Sequence, residues 1–145
     1  MEKEIKKEVS MDRILVGFDG SEVSEQALNR SIMLIYEQGE LILLAVIPSS
    51  KNRLLVDSNA YETLKKKAWN LIDSVIADLG EQSFGIRGLV EEGDPAGVII
   101  DVSNRLDVDL IVLGSKGQSE LGQYLIGSIA NKVVQYAAKP VMVVR

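Results

Sequence analysis

The chain has no cysteine and no histidine in 145 residues. The first absence removes disulfides, thiolate metal sites and thiol nucleophiles together. The second removes the commonest acid–base side chain and the commonest metal ligand. Any metal is therefore expected on oxygen ligands, most simply magnesium carried mainly by a substrate's phosphates. Positive charge is also scarce. Sixteen Lys and Arg stand against 21 Asp and Glu, a net charge of −5, which argues against a general binder of nucleic acid or of anionic membranes. No run of about 18 apolar residues exists, so no membrane-spanning segment is expected. Residues 1–10 are charged and lack the apolar stretch of a signal peptide, which makes a cytoplasmic protein the expectation. Lysine and glutamate alternate in that stretch, so residues 1–12 read as a solvated N-terminal arm. Residues 13–145 read as one domain, long enough to bury a full core.

What is present is an alternation of apolar runs and helical periodicities. The run 13–18 reads as a buried parallel strand, broken by Asp19, Gly20 and Ser21. Ala27, Leu28, Ser31, Ile32, Leu34 and Ile35 follow at helical spacing, with Gly39 as the expected C-cap. A second strand covers 41–47 and stops at Pro48. Residues 49–58 read as a loop. Periodicity resumes at Leu64, Ala68, Leu71, Ile72, Val75 and Leu79, and Gly80 ends it. Lys65, Lys66 and Lys67 in that helix read as a solvated face. Residues 84–90 form a weaker, more polar strand of edge type. Asp94 and Pro95 read as N-cap and first residue of a third helix. A fourth strand covers 108–113, a fourth helix 129–138 and a fifth strand 140–145. Such alternation is the signature of a doubly wound α/β fold: a five-stranded parallel sheet with helices on both faces. The expected strand order is 3-2-1-4-5, which sets strands 1 and 4 side by side where ligands bind, beyond their carboxyl ends.

Two loops meet at that point. One holds Asp19, Gly20 and Ser21. The other runs 114–128 and reads Gly-Ser-Lys-Gly-Gln-Ser-Glu-Leu-Gly-Gln-Tyr-Leu-Ile-Gly-Ser. A strand that enters a glycine-rich loop and then a helix is a phosphate-binding design: glycines admit the anion, and the helix N-terminus offers N–H groups and a positive dipole end. Ser128 is a good N-cap type. The spacing is neither the Walker pattern nor the dinucleotide fingerprint. Plainer readings stand beside these. Asp19 to Ser21 also suits a strand-to-helix turn capped by Ser21, and Lys116 suits either phosphate or solvent.

The Gly-x2-Gly-x9-Gly-Ser frame resembles the ATP-binding motif of the universal stress protein family. The first strand and turn (Ile-Leu-Val-Gly-Phe-Asp-Gly-Ser, 14–21), Leu-Leu-Ala-Val (43–46), Val-Glu-Glu-Gly-Asp-Pro (90–95) and Lys-Pro-Val-Met-Val-Val (139–144) are similar to that family's, in order and in frame. The resemblance covers about 13–145 and implies a Rossmann-like, adenine nucleotide alpha hydrolase-like fold. It implies a site for ATP, AMP or ADP with Mg2+. Gly17, Phe18, Asp19 and Val46 would lie at the base and ribose. Gly114, Ser115, Lys116 and Gly117 would border the ribose and phosphates. Gly127, Ser128 and Ile129 would give backbone N–H groups, and Ser128 its hydroxyl, to the phosphates. The sequence departs from the family at 120–124, which carries no lysine or arginine where relatives often have one.

No general base or arginine finger is visible in these loops, and phosphoryl transfer rests on positioned charge. A nucleotide-binding sensor or switch acting on an unknown protein partner is therefore expected. A slow ATPase is the alternative. A homodimer is expected through 141–144, apolar on alternating faces, with no helix after it and Arg145 as its only charge. Relatives in the family pair in that way.

Overall fold

The apolar runs all become strands, and each intervening helix returns the chain in the same direction. The structure, a computed structural model, describes residues 11–49, 58–116 and 126–145. In chain order the elements are β1 (Arg13–Gly17), α1 (Glu22–Leu34), β2 (Glu40–Pro48), α2 (Ser58–Leu79), β3 (Gly85–Gly93), α3 (Pro95–Arg105), β4 (Leu110–Gly114), α4 (Ser128–Tyr136) and β5 (Val141–Val144). All strand pairs are parallel and the order is β3-β2-β1-β4-β5, as expected.

The period of two along each strand sorts the core into two layers. Ile14, Val16, Leu41, Leu43 and Val112 face α1 and α2, while Leu15, Ile42, Leu44, Ile111 and Leu113 face α3 and α4. Ile14, Leu15 and Val16 of β1 are 0% exposed, and full burial of each such side chain contributes about 1.5–3 kcal/mol. β1 is thus firmly anchored, and its carboxyl end is a fixed place for a site.

Several boundaries move from their expected places for local reasons. Helix α1 stops at Leu34, with Ile35 in extended conformation as its C-cap. The chain then turns through Gln38 at φ 66°. Gly39 is not the cap; a Cβ there would stand 2.8 Å from Asp12 O and 3.0 Å from Tyr36 O, so the glycine lets two backbone segments pass. Helix α2 starts at Ser58, ahead of the apolar periodicity that begins at Leu64, because residues 59–63 are exposed or half-buried and carry no apolar stripe. Residues 50–57 of the expected 49–58 loop lie outside the described residues. β3 continues to Gly93 because β2 pairs with it as far as Pro48. β4 starts at Leu110, since Asp107 sits at φ 49° and Val108 N–H still donates to Ser103 O. Lys65, Lys66 and Lys67 are exposed, as a solvated face requires. β5 is covered on both faces: Met142 and Val144 pack with the α1–α2 layer, Val141 and Val143 with the α3–α4 layer. β5 is an edge of the sheet, with no further strand beside it among the described residues.

Candidate functional site

β1 leads into α1 on one side of the sheet, and β4 leads into α4 on the other. Two adjacent strands whose continuations diverge leave a crevice between them. Here it is a cleft of about 660 Å³ beyond the ends of β1, β2 and β4.

At the β2 side, the backbone itself is exposed to the cleft. β1 and β2 pair as far as Gly17 and Leu44. Phe18 N–H then donates to Leu44 O at 2.9 Å, the last bond between them among the described residues. In a strand, alternate residues direct their N–H and C=O to the same side. Leu44 points toward β1, so Val46 does too, and Ser49, of opposite parity, donates to Gly93 O in β3. β1 has already ended at Gly17. Val46 therefore presents a donor and an acceptor to the cleft, and its half-buried side chain lines it. Leu44, Ile99 and Leu113 form the apolar floor, and Pro48 and Pro95 flank the mouth. Sequence reading passed over these five. Leu44 and Leu113 were recoverable from parity, since they share the face of Val46.

At the β1 side, the plain reading of Asp19 to Ser21 holds. Asp19 Oδ1 accepts from Ser21 N–H at 2.9 Å, and Ser21 Oγ accepts from Ser24 N–H at 3.2 Å as the N-cap of α1. Gly20 takes φ 83°, which makes the turn. The cap does not remove Asp19 and Ser21 from the cleft, which both line. Gly17 lines it as well; a Cβ there would stand 2.7 Å from Leu113 Cδ2. Phe18 is different. It lines the cleft too, but the residue is only 3% exposed and belongs to the α1–α2 core.

At the β4 side the glycines divide by function. A Cβ on Gly114 would overlap Val23 Cγ1 and stand 3.1 Å from the Val23 main-chain carbon. That glycine is required by the approach of α1 to β4. Ser115 N–H donates to Val144 O at 2.7 Å, and Gly127 N–H donates to Ser115 O. The connection from β4 to α4 is thus tied at its neck, and the Gly127 N–H is used there. A Cβ on Gly127 would stand 2.9 Å from Ser115 O and 3.1 Å from Lys116 Cα. Gly117 and the loop through residue 125 lie outside the described residues.

Gly127, not Ser128, is the N-cap of α4, and among the described residues no side chain caps this helix. Helices α1 and α3 are capped by Ser21 and Asp94. The first helical bond of α4 runs from Asn131 N–H to Gly127 O at 2.9 Å. The N–H groups of Ser128, Ile129 and Ala130 therefore have no partner within the helix. All three residues line the cleft, together with Ser115 and Lys116. Unpaired N–H groups, a hydroxyl and a lysine at a helix N-terminus are suited to an anion.

A profile described as the universal stress protein family matches residues 11–145. The chain belongs to the universal stress protein family. Universal stress protein YxiE of Bacillus subtilis is 30% identical over 146 residues, covering 92% of this chain and 99% of its own. Among solved structures, the hypothetical protein MJ0577 superposes with a TM-score of 0.85 at 29% identity, covering 94% of this chain and 96% of that one. A universal stress protein family protein from Arabidopsis thaliana, solved with AMP bound, gives 0.64 at 19% identity, covering 90% and 89%. At that identity the likeness carries the fold. No helix among the described residues of this universal stress protein is long and apolar enough to cross a membrane.

Proposed function

We propose that this universal stress protein binds an adenine nucleotide, ATP with magnesium included, and acts as a nucleotide-dependent switch in the cytoplasm. One observation carries the reading: the Val46 N–H and C=O, beyond the end of β1, and the N-terminus of α4 at Ser128, without a side-chain cap among the described residues, border one cleft with an apolar floor. Adenine offers an amino donor beside a ring acceptor. The floor of Leu44, Ile99 and Leu113 suits a flat ring, and the α4 end suits phosphate. Val46→Pro removes the N–H without breaking a ladder bond. It is expected to weaken AMP and ATP binding about tenfold in calorimetry, the effect of one hydrogen bond of about 1–1.5 kcal/mol. Unchanged affinity with a native circular dichroism spectrum would remove the base from this end of the cleft.

Hydrolysis is expected to be far slower than the typical enzyme turnover of about 10 per second. Asp19 is the only carboxylate among the described lining residues, and its Oδ1 already accepts from Ser21. Phosphate release over many turnovers measures this; several turnovers per second would contradict it.

We also propose a two-fold homodimer through β5. The other edge strand, β3, carries Arg87, Glu91 and Glu92, and Arg105 binds both Glu91 oxygens at 2.8 and 2.7 Å. β5 carries no charge in Val141–Val144. Charged edges discourage strand addition and uncharged ones invite it. Pro140 O accepts from Ile111 N–H of β4 and Val144 O from Ser115 N–H just after it, so Val143, of opposite parity, directs its N–H outward. Val143→Pro should therefore shift a dimer toward monomer in sedimentation equilibrium without loosening β4. A monomeric wild type at tens of micromolar would contradict the dimer.

A further inference from the structure

Gly114 and Ser115 join the cleft to the edge strand β5. Gly114 stands opposite Val144 in the β4–β5 register. Ser115 N–H donates to Val144 O at 2.7 Å, and Ser115 O accepts from Gly127 N–H at the cap of α4. On the other side α1 comes so close that Val23 fills the place of a Gly114 Cβ. Both residues line the cleft, and Ser115 is buried. Val144 is the one buried residue of β5. The strand of the dimer edge and the helix end of the cleft are therefore bonded to the two peptide groups of a single residue.

A residue held from both sides cannot follow one partner without losing the other. β5 has β4 as its one neighbour among the described residues. A second copy bonded to the outer edge of β5 would hold Val144, and with it Ser115, from that side. A ligand on the N–H groups of residues 128–130 would hold the start of α4, and with it Ser115, from the cleft. Whichever comes first orders Ser115, so the second event loses less conformational entropy.

We infer that ligand binding in the cleft and pairing of two copies through β5 are positively linked through Ser115. Each raises the affinity of the other by the same factor. β5 is then a nucleotide-regulated interface for a second copy of this chain. The inference rests on the nucleotide and dimer readings and joins them.

The test is sedimentation equilibrium of the full chain with and without saturating AMP, and AMP titration at protein concentrations below and above the dimer dissociation constant. AMP should tighten the dimer at least about fivefold, the low end of measured couplings between sites, and the dimer should bind AMP more tightly by the same factor. Val143→Pro lies outside the cleft and should bind AMP as the diluted wild type does. Exchange of the Ser115 amide should be slower in the ligand-free dimer than in the Val143→Pro monomer, and slower again with AMP. AMP binding and dimerisation that occur with independent constants overturn the linkage and leave both readings standing. Linked constants with an unaltered Ser115 amide overturn this residue as the route. A monomer with and without AMP overturns the dimer, and no AMP binding at any protein concentration overturns the nucleotide reading; the linkage falls with either.

Discussion

Gly114→Ala is expected to destabilise the protein by about 2–3 kcal/mol, the usual range for overpacking a filled core. For a chain of this size that is a fall in Tm of roughly 5–10 °C. The added methyl has no room: it meets Val23 Cγ1, with Val23 Cβ at 3.0 Å and its main-chain carbon at 3.1 Å. Val23→Ala in the same chain should recover part of the loss, because the γ-methyls go and the Cβ and backbone remain. Urea titration of the two single variants and the double variant measures the coupling directly. A Gly114→Ala protein with wild-type stability and lost nucleotide affinity would show that this glycine serves the ligand and not the helix.

Gly127→Val should act on binding far more than on stability. The residue sits at φ −62°, so a side chain meets no backbone strain. It does meet Ser115 O at 2.9 Å, across the bond that ties the neck of the β4–α4 connection. Displacing that neck moves Lys116 and the first turn of α4 together. Loss of two charge-assisted hydrogen bonds at about 1.5–3 kcal/mol each lowers affinity more than a hundredfold, while the neck bond itself costs only about 1 kcal/mol of stability. Ser128→Ala is the companion variant. It removes one exposed hydroxyl and leaves the neck intact, so affinity should fall about tenfold with Tm unchanged. Calorimetry and thermal melts of both variants separate the ligand from the scaffold. Wild-type affinity in Gly127→Val, with native circular dichroism, would contradict the role of this helix end.

The sheet was legible because its strands are buried on both faces and read as unbroken apolar runs. β1, β2 and β4 each appear so, and the alternation with helices gives a parallel sheet whose right-handed crossovers leave 3-2-1-4-5 as one of a few orders. The Asp94–Pro95 helix start was legible too, because cap and first-turn proline are adjacent in the sequence. Gly114 lines the cleft, and its second role in helix packing was not legible because the cause lies far away in the chain. A glycine in a loop after a strand suggests ligand approach, yet the atoms that forbid its Cβ belong to Val23. The capping of α4 failed for a related reason. Ser128 has the right side chain for a cap, but Gly127 occupies the cap position and leaves the helix end open. An open end carries no sequence signal of its own. The same holds at Val46, where a side chain reading gives only a core valine and the functional groups are N–H and C=O.

The most direct test of the site is the change in backbone amide chemical shifts on titration with AMP. The account predicts the largest shifts at Val46, Ser128, Ile129 and Ala130, with β3 and the far end of α2 unmoved. Saturating AMP that leaves those four amides in place, or shifts another surface instead, would contradict it.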